Sequence, residues 1–195
     1  HKALRIAGLG EAIHRVIPMD DHFRMQLDAL EKQLQADREQ GLYPWLLVGS
    51  AGTTDAGAID PLSTLGDVAK AYGLWFHVDG AYGGFFLLAP TGQERIQGVA
   101  KADSVVMDPH KGLFLPYGIG AVLVKDGDQL YRSHYYTANY MQDSLSADEE
   151  VSPSEVSPEL TKHFRGLRMW LSLQLFGVRP FRAALEEKIQ LARYF

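Results

Sequence analysis

The chain has 195 residues, 46% of them hydrophobic and 22% charged. That balance excludes an intrinsically disordered segment and is enough for one domain with a sizeable core, or one domain and the start of another. Nineteen basic against twenty-four acidic residues give a net charge of −5, which argues against nucleic acid as a partner because such binding needs a basic face over the phosphates. Cysteine is absent, so a disulfide framework and a thiolate metal site are excluded, and a cytoplasmic location is expected.

The segment HKALRIAGLG opens as an amphipathic helix already under way, with Leu4, Ile6 and Ala7 apolar and Gly8 or Gly10 as its stop, and with neither an initiator methionine nor a signal peptide. The closing ALEEKIQLARYF is helical with no Gly or Pro terminator, so both ends read as those of a fragment. HRVIPMD, residues 14–20, reads as a short strand. RMQLDALEKQLQADREQG, residues 24–41, reads as a helix with Leu27, Leu30 and Leu34 on one face and Gly41 closing it.

PWLLVGSAG then reads as a buried strand, DPLSTLGDVAKAYG as a helix opened at Asp60 and Pro61, and LWFHVD as a second buried strand. Repeated βαβ units of this kind predict a mainly parallel sheet covered on both faces, with right-handed connections. DSVVMD and GIGAVLVKD add two further strands. Even the most apolar stretch, LWFHVDGAYGGFFLLAP, is broken by His77, Asp79 and several glycines, so no membrane span is expected. After the tyrosine-rich LYRSHYYTANYMQ, the acidic DSLSADEEVSPSEVSPE reads as a loop or linker, and from Leu160 the pattern turns helical on either side of Gly177. No internal repeat is present.

Open α/β sheets bind ligands at the carboxyl ends of their strands. Those ends carry SAGTT (50–54), DGAYGG (79–84) and DPHK (108–111). Taken singly, each has an ordinary reading. A lysine at a strand end is usually a surface charge, Asp79 a turn former, and the threonines local caps. One chemistry uses all three together. A lysine amine forms a Schiff base with an aldehyde cofactor, pyridoxal 5'-phosphate, and a carboxylate keeps the cofactor's pyridine nitrogen protonated so that the ring withdraws electrons. Lys111 and Asp79 can fill these roles, with Gly80 and Ala81 leaving room for a flat ring and with Thr53, Thr54 or His110 meeting the phosphate or phenolic oxygen. His77, alternating with Val78 on a buried strand, reads as a hydrogen-bonded core residue, and no third ligand stands at a spacing that would make a metal site of His77 and Asp79.

GTTDAGAIDP, HVDGAYGG and ADSVVMDPHKGLFLPYGIGAVLVKD, in this order and spacing, resemble the group II pyridoxal-phosphate-dependent amino acid decarboxylases, among them the aromatic-L-amino-acid, tyrosine and glutamate decarboxylases. The resemblance extends along essentially the whole chain, through GLRMWLSLQLFGV and IQLARYF. It implies the aspartate aminotransferase-like fold (fold type I), with residues 1–150 belonging to the cofactor-binding large domain and residues 151–195 forming a linker and helices that lead into a truncated carboxyl-terminal small domain. It implies Lys111 as the Schiff-base lysine, Asp79 as the partner of the pyridine nitrogen and Ala81 as the small residue against one ring face. Thr54 would lie near the phosphate or phenolic oxygen, Asp60 would order its loop, and His110 would contact the phosphate or the substrate carboxylate. Tyr140, with Tyr135 and Tyr136 as neighbours in the same segment, would be the loop tyrosine that returns a proton to the substrate carbon.

The same resemblance puts the family's ring-stacking histidine a few residues upstream of KALRIAGLG, so His1 does not take that role. Gly112 departs from the many members that carry a bulky residue such as tryptophan after the lysine. The expected function is decarboxylation of an L-amino acid, aromatic first and acidic or diamino as alternatives, by a homodimer with shared active sites that also needs the remainder of the enzyme chain. Other reactions of the cofactor on this fold (carbon–carbon lyase, aldehyde synthase, aminotransferase) and a non-catalytic scaffold are the competing readings.

Overall fold

A computed structural model describes residues 2–135 and 151–195. The chain divides into two units, residues 1–44 and residues 45–195. In the first, α1 (Lys2–Ile6) and α2 (Leu27–Glu39) are the helices, and α2 buries Leu30, Leu34 and Asp37. The Asp37 carboxylate accepts hydrogen bonds from Arg15 Nη2 and Gln33 Nε2, both at 2.8 Å, and the Arg15 guanidinium holds its pKa below the usual 3.8.

Residues 14–20 do not form the strand that their apolar alternation predicts. Only an isolated bridge pairs Met19 with Met25. Asp20 wins locally: its Oδ1 accepts the N–H groups of His22 and Arg24, each at 2.9 Å, and its Oδ2 accepts Arg24 Nε at 2.9 Å. These donors, Arg24 first, pull the Asp20 pKa down to about 2. An aspartate turn thus closes the segment before a strand can run.

The second unit is built on a four-stranded sheet in the order β1 (Leu46–Ser50), β2 (Trp75–Asp79), β3 (Ser104–Met107), β4 (Ala121–Val124). β1 and β2 pair in parallel from Leu46↔Trp75 to Ser50↔Asp79, and β2 and β3 from His77↔Ser104 to Asp79↔Val106. β4 runs antiparallel to β3, so the sheet is mixed although mostly parallel; α4 (Pro90–Arg95) precedes β3 and α6 (Gly127–His134) follows β4. The link between β3 and β4 contains only a four-residue helix, α5 (Pro109–Gly112), about 6 Å long. A helix this short does not cover the sheet as the helix of a usual parallel crossover does.

Between β1 and β2, α3 (Leu62–Tyr72) buries Leu62, Leu65, Val68 and Ala69 along one stripe and stops at Gly73, whose φ of +70° is the left-handed cap position. Leu65, Phe76 and Val78 are almost fully buried. Phe85, Ala89, Met107, Leu113 and Leu185 form a further cluster, flanked by Met169, Phe181 and Ile189. Those last residues belong to α7 (Gly166–Phe176) and α8 (Arg179–Tyr194), and α8 is also held by Thr91 Oγ1 donating to Glu186 Oε1 at 2.6 Å.

The opposite side of the sheet differs from the expectation of two covered faces. Along β2 the odd positions Trp75 and His77 are half-buried and Asp79 is exposed, and Val48 of β1 is 45% exposed. No helix among the described residues is long and apolar enough to cross a membrane.

Candidate active site

The carboxyl ends of β1, β2 and β3 lie side by side, and backbone hydrogen bonds continue the ladder past them. Ala51 N–H donates to Asp79 O at 2.8 Å, Gly80 N–H to Val106 O at 3.0 Å, and Asp108 N–H to Ala81 O at 3.2 Å. Three loops therefore leave one sheet edge in fixed relation to each other. Thr54, Asp60, Asp79, Ala81, His110 and Lys111 all lie on or at the base of these loops.

The loop after β1 folds back on itself. Gly52 and Thr53 N–H groups both donate to Ala58 O at 3.0 Å, and Thr53 Oγ1 accepts Ala58 N–H at 3.1 Å. Asp60 Oδ2 accepts Ser50 N–H at 2.7 Å, while Asp60 N–H donates to Ser50 O at 2.9 Å. Thr54 is exposed at the tip. Gly52, at φ +90°, meets Gly83 of the neighbouring loop so closely that a Cβ on either would stand 2.9 Å from the other's Cα. The two loops can approach this far only without side chains.

Asp79 ends β2. Its Oδ1 accepts Ala81 N–H at 3.0 Å, which shapes the turn and leaves Oδ2 for a cation. Two residues earlier on the same face, His77 Nδ1 lies 2.8 Å from Ser104 Oγ, and the same hydroxyl accepts Trp75 Nε1–H at 2.8 Å. Burial pushes the His77 pKa below its ordinary 6.5, with the negative charge of Asp79 pulling the other way. His77 is thus a neutral, hydrogen-bonded side chain of the sheet near neutral pH.

Lys111 sits in α5, just beyond β3. Its Nζ is 2.9 Å from Asp108 Oδ2, in a pair whose side chains are 37% and 18% exposed. His110 Nδ1 is 2.7 Å from Ile119 O; a carbonyl only accepts, so Nδ1 carries the proton. Nε2 lies 3.9 Å from Asp108 Oδ2, while the ring packs on Tyr117 with centroids 5.4 Å apart. Gly112 is buried, and a Cβ there would lie 2.7 Å from Phe85 Cβ, so the residue after the lysine is small because the core abuts it. Phe114 follows with φ +56°, a backbone conformation that costs energy in a non-glycine residue.

Sequence reading assigned no role to two residues of this site. Ser104 shows only as one serine opening an apolar strand, and nothing local marks it as the partner of Trp75 and His77. Asp108 has a visible cue, since it stands three residues before Lys111 at the position that caps α5. Its carboxylate makes no cap bond and goes to the lysine instead. Tyr140 lies outside the described residues.

The whole chain, residues 1–195, matches the pyridoxal-dependent decarboxylase conserved domain. It is 38% identical over 194 residues to an aromatic-L-amino-acid decarboxylase of Bacillus atrophaeus, covering 98% of this chain and 40% of that protein. It is 32% identical over 197 residues to a phenylacetaldehyde synthase of Arabidopsis thaliana, covering 100% of this chain and 40% of that one. The crystal structure of Oryza sativa TDC with PLP and tryptamine superposes with a TM-score of 0.85 at 30% identity, covering 93% of this chain and 38% of the other. The protein belongs to the pyridoxal-dependent decarboxylase family. The chain spans about 40% of the length of the curated relatives it matches.

Pyridoxal phosphate requires an amine for its aldehyde, a carboxylate for its ring nitrogen and a flat surface of small residues. The edge supplies Lys111, Asp79 and the Gly80–Ala81 segment. A Cβ on Gly80 would stand 3.1 Å from both Gly84 Cα and Val106 O, so the turn after Asp79 packs closely on its neighbours and Gly80 carries no side chain. The donor set fits the cofactor.

Proposed function

We propose that this protein removes the α-carboxylate of an L-amino acid as carbon dioxide, leaving the amine, and that the amino acid is aromatic. The observation that carries the reading is the presence of a carboxylate, Asp79, and an amine, Lys111, at and just beyond the ends of adjacent parallel strands. The bond from Asp108 N–H to Ala81 O, 3.2 Å, ties their loops together. Family membership supports pyridoxal phosphate as the cofactor, and the aromatic-L-amino-acid decarboxylase of Bacillus and the rice structure that holds tryptamine support an aromatic substrate.

When bound, the cofactor supplies the electron sink for the pair left behind as carbon dioxide departs. The chain's own residues hold and orient it. Lys111 Nζ would be the amine that holds the cofactor through its aldehyde. Asp79 Oδ2 holds the proton on the ring nitrogen, with Oδ1 kept in place by Ala81 N–H. Ala81 leaves room for the ring. Thr54 and His110 are assigned to the phosphate or phenolic oxygen, and Asp60 steadies the Thr54 loop through Ser50 N–H. Tyr140 is assigned the return of a proton to the α-carbon.

The same reading extends to architecture: an aspartate aminotransferase-like large domain over residues 1–150, residues 151–195 leading into the small domain, and a homodimer with shared sites. The phenylacetaldehyde synthase relative favours a second reading, in which an aldehyde and not the amine is released. The test is to incubate the full-length protein and pyridoxal phosphate with aromatic, acidic and diamino L-amino acids. Carbon dioxide with an equal amount of amine from an aromatic substrate supports the first reading, aldehyde in place of amine supports the second, and no carbon dioxide from any substrate overturns both.

A further inference from the structure

We propose that Asp108 is the resting counter-ion of Lys111 in the cofactor-free protein, a positioning residue that must release the amine before an aldehyde can be captured. The inference rests on the reading of Lys111 as the cofactor lysine. An aspartate at a helix start normally accepts backbone N–H groups of the first turn, yet the Asp108 carboxylate makes no such bond. Those N–H groups turn instead to its backbone oxygen, which accepts Lys111 N–H at 2.9 Å and Gly112 N–H at 3.1 Å. The carboxylate is thereby left for the Lys111 side chain, with Oδ2 2.9 Å from Nζ.

The surroundings favour that arrangement. Asp108 is half-buried, its Oδ1 lying 3.3 Å from where a Cβ on Gly120 would stand, and its Oδ2 is 3.9 Å from His110 Nε2, beyond hydrogen-bond reach. Asp108 N–H is in turn fixed to Ala81 O, so the counter-ion is anchored to the Asp79 turn and not to a mobile tip.

Capture joins neutral Nζ to the aldehyde carbon as a C=N bond and expels the aldehyde oxygen as water. Before that, the ammonium proton must pass to water, and the ion pair with Asp108 Oδ2 opposes its departure until the pair opens. No oxidant or reductant is involved.

The test uses full-length, cofactor-free protein as wild type, Asp108→Asn and Asp108→Glu. One readout is the rate of Lys111 acetylation by a small activated ester, followed by peptide mass spectrometry at about 0.02 M and about 0.5 M salt. Lys70, exposed in the last turn of α3, is the internal reference. A second readout is the rate at which pyridoxal phosphate becomes fixed to Lys111 when borohydride is added at timed intervals. Because the pair is more than one-third open on the lysine side, the expected effect is modest. Asp108→Asn should raise both low-salt rates about three-fold, Asp108→Glu should stay near wild type, and high salt should close the gap by speeding wild type and Asp108→Glu but not Asp108→Asn.

The wild-type salt response needs no variant, so a misfolded mutant does not decide the matter. Lys111 rates that ignore both salt and substitution, with the cofactor still captured at Lys111, overturn the counter-ion role and leave the proposed function intact. Acetylation that responds as expected while no cofactor is ever fixed overturns the proposed function and the capture step together, while the ion pair itself stands.

Discussion

Substituting Gly83 by alanine tests whether the site depends on the close approach of its loops. Gly83 has φ −86° and ψ −13°, which alanine adopts without strain, so any cost is steric. The new Cβ would stand 2.9 Å from Gly52 Cα and 3.0 Å from the Ala51 carbonyl carbon, with the Ala51 oxygen closer still. Ordinary carbon–carbon contact begins at about 3.5 Å, so one loop must retreat by about 0.6 Å or more. Overpacking of this kind costs about 1–3 kcal/mol. Gly52 leads to Thr54, and Gly83 ends the turn that begins at Asp79, so the retreat also separates the two sides of the cofactor site. A displacement approaching 1 Å lowers turnover by about 10²-fold. The assay compares Gly83→Ala with Gly127→Ala, where nothing lies within 4 Å of the added carbon, by urea denaturation and by pyridoxal phosphate titration of the full-length protein. Gly127→Ala should match wild type in both. A Gly83→Ala protein with unchanged midpoint and unchanged cofactor affinity would refute the steric argument.

Two further outcomes follow from the face of β2 that bears Asp79. Burial lowers the His77 pKa below 6.5, so above that pH both folded and unfolded chains carry a neutral imidazole and the full stability is present. As pH falls below 6.5 the unfolded chain takes up a proton that the folded chain resists, and stability is lost until the folded pKa is reached; His77→Gln should flatten this slope in denaturation series at pH 7.5, 6.5 and 5.5, and an identical slope would contradict it. Ser104→Ala removes the one hydroxyl shared by Trp75 and His77, which should cost about 1–3 kcal/mol in urea denaturation, whereas Ser104→Thr should retain part of the loss.

Much of this architecture is legible in the residues, and the exceptions have physical causes. β2 and α3 can be read because LWFHVD is a compact apolar run and because the stripe Leu62, Leu65, Val68, Ala69 ends at a glycine that accepts φ +70°. The direction of β4 cannot be read, since GIGAVLVKD has the same apolar pattern whichever way it pairs. Residues 14–20 alternate like a strand, but the pattern carries no information on how strongly the Asp20 carboxylate will gather the N–H groups of His22 and Arg24.

The placement of Lys111, Asp79, Thr54 and Asp60 at or beyond the carboxyl ends of the strands is legible because strand ends and motif spacing mark it. The contacts of Ser104 and Asp108 are not, because they depend on where a hydroxyl and a carboxylate point. Trp75 and Ser104 are 29 residues apart, and the contact of Gly52 with Gly83 is equally remote from any local pattern.

The central claim is that Lys111 is the amine that carries pyridoxal phosphate. The most direct measurement is borohydride reduction of the full-length protein after incubation with the cofactor, followed by peptide mass spectrometry, with Lys111→Ala in parallel. A pyridoxyl adduct on the peptide containing Lys111, with its visible absorption band lost on reduction and both absent in Lys111→Ala, is the predicted result. An adduct on another lysine, or a band that persists in Lys111→Ala, would contradict the account.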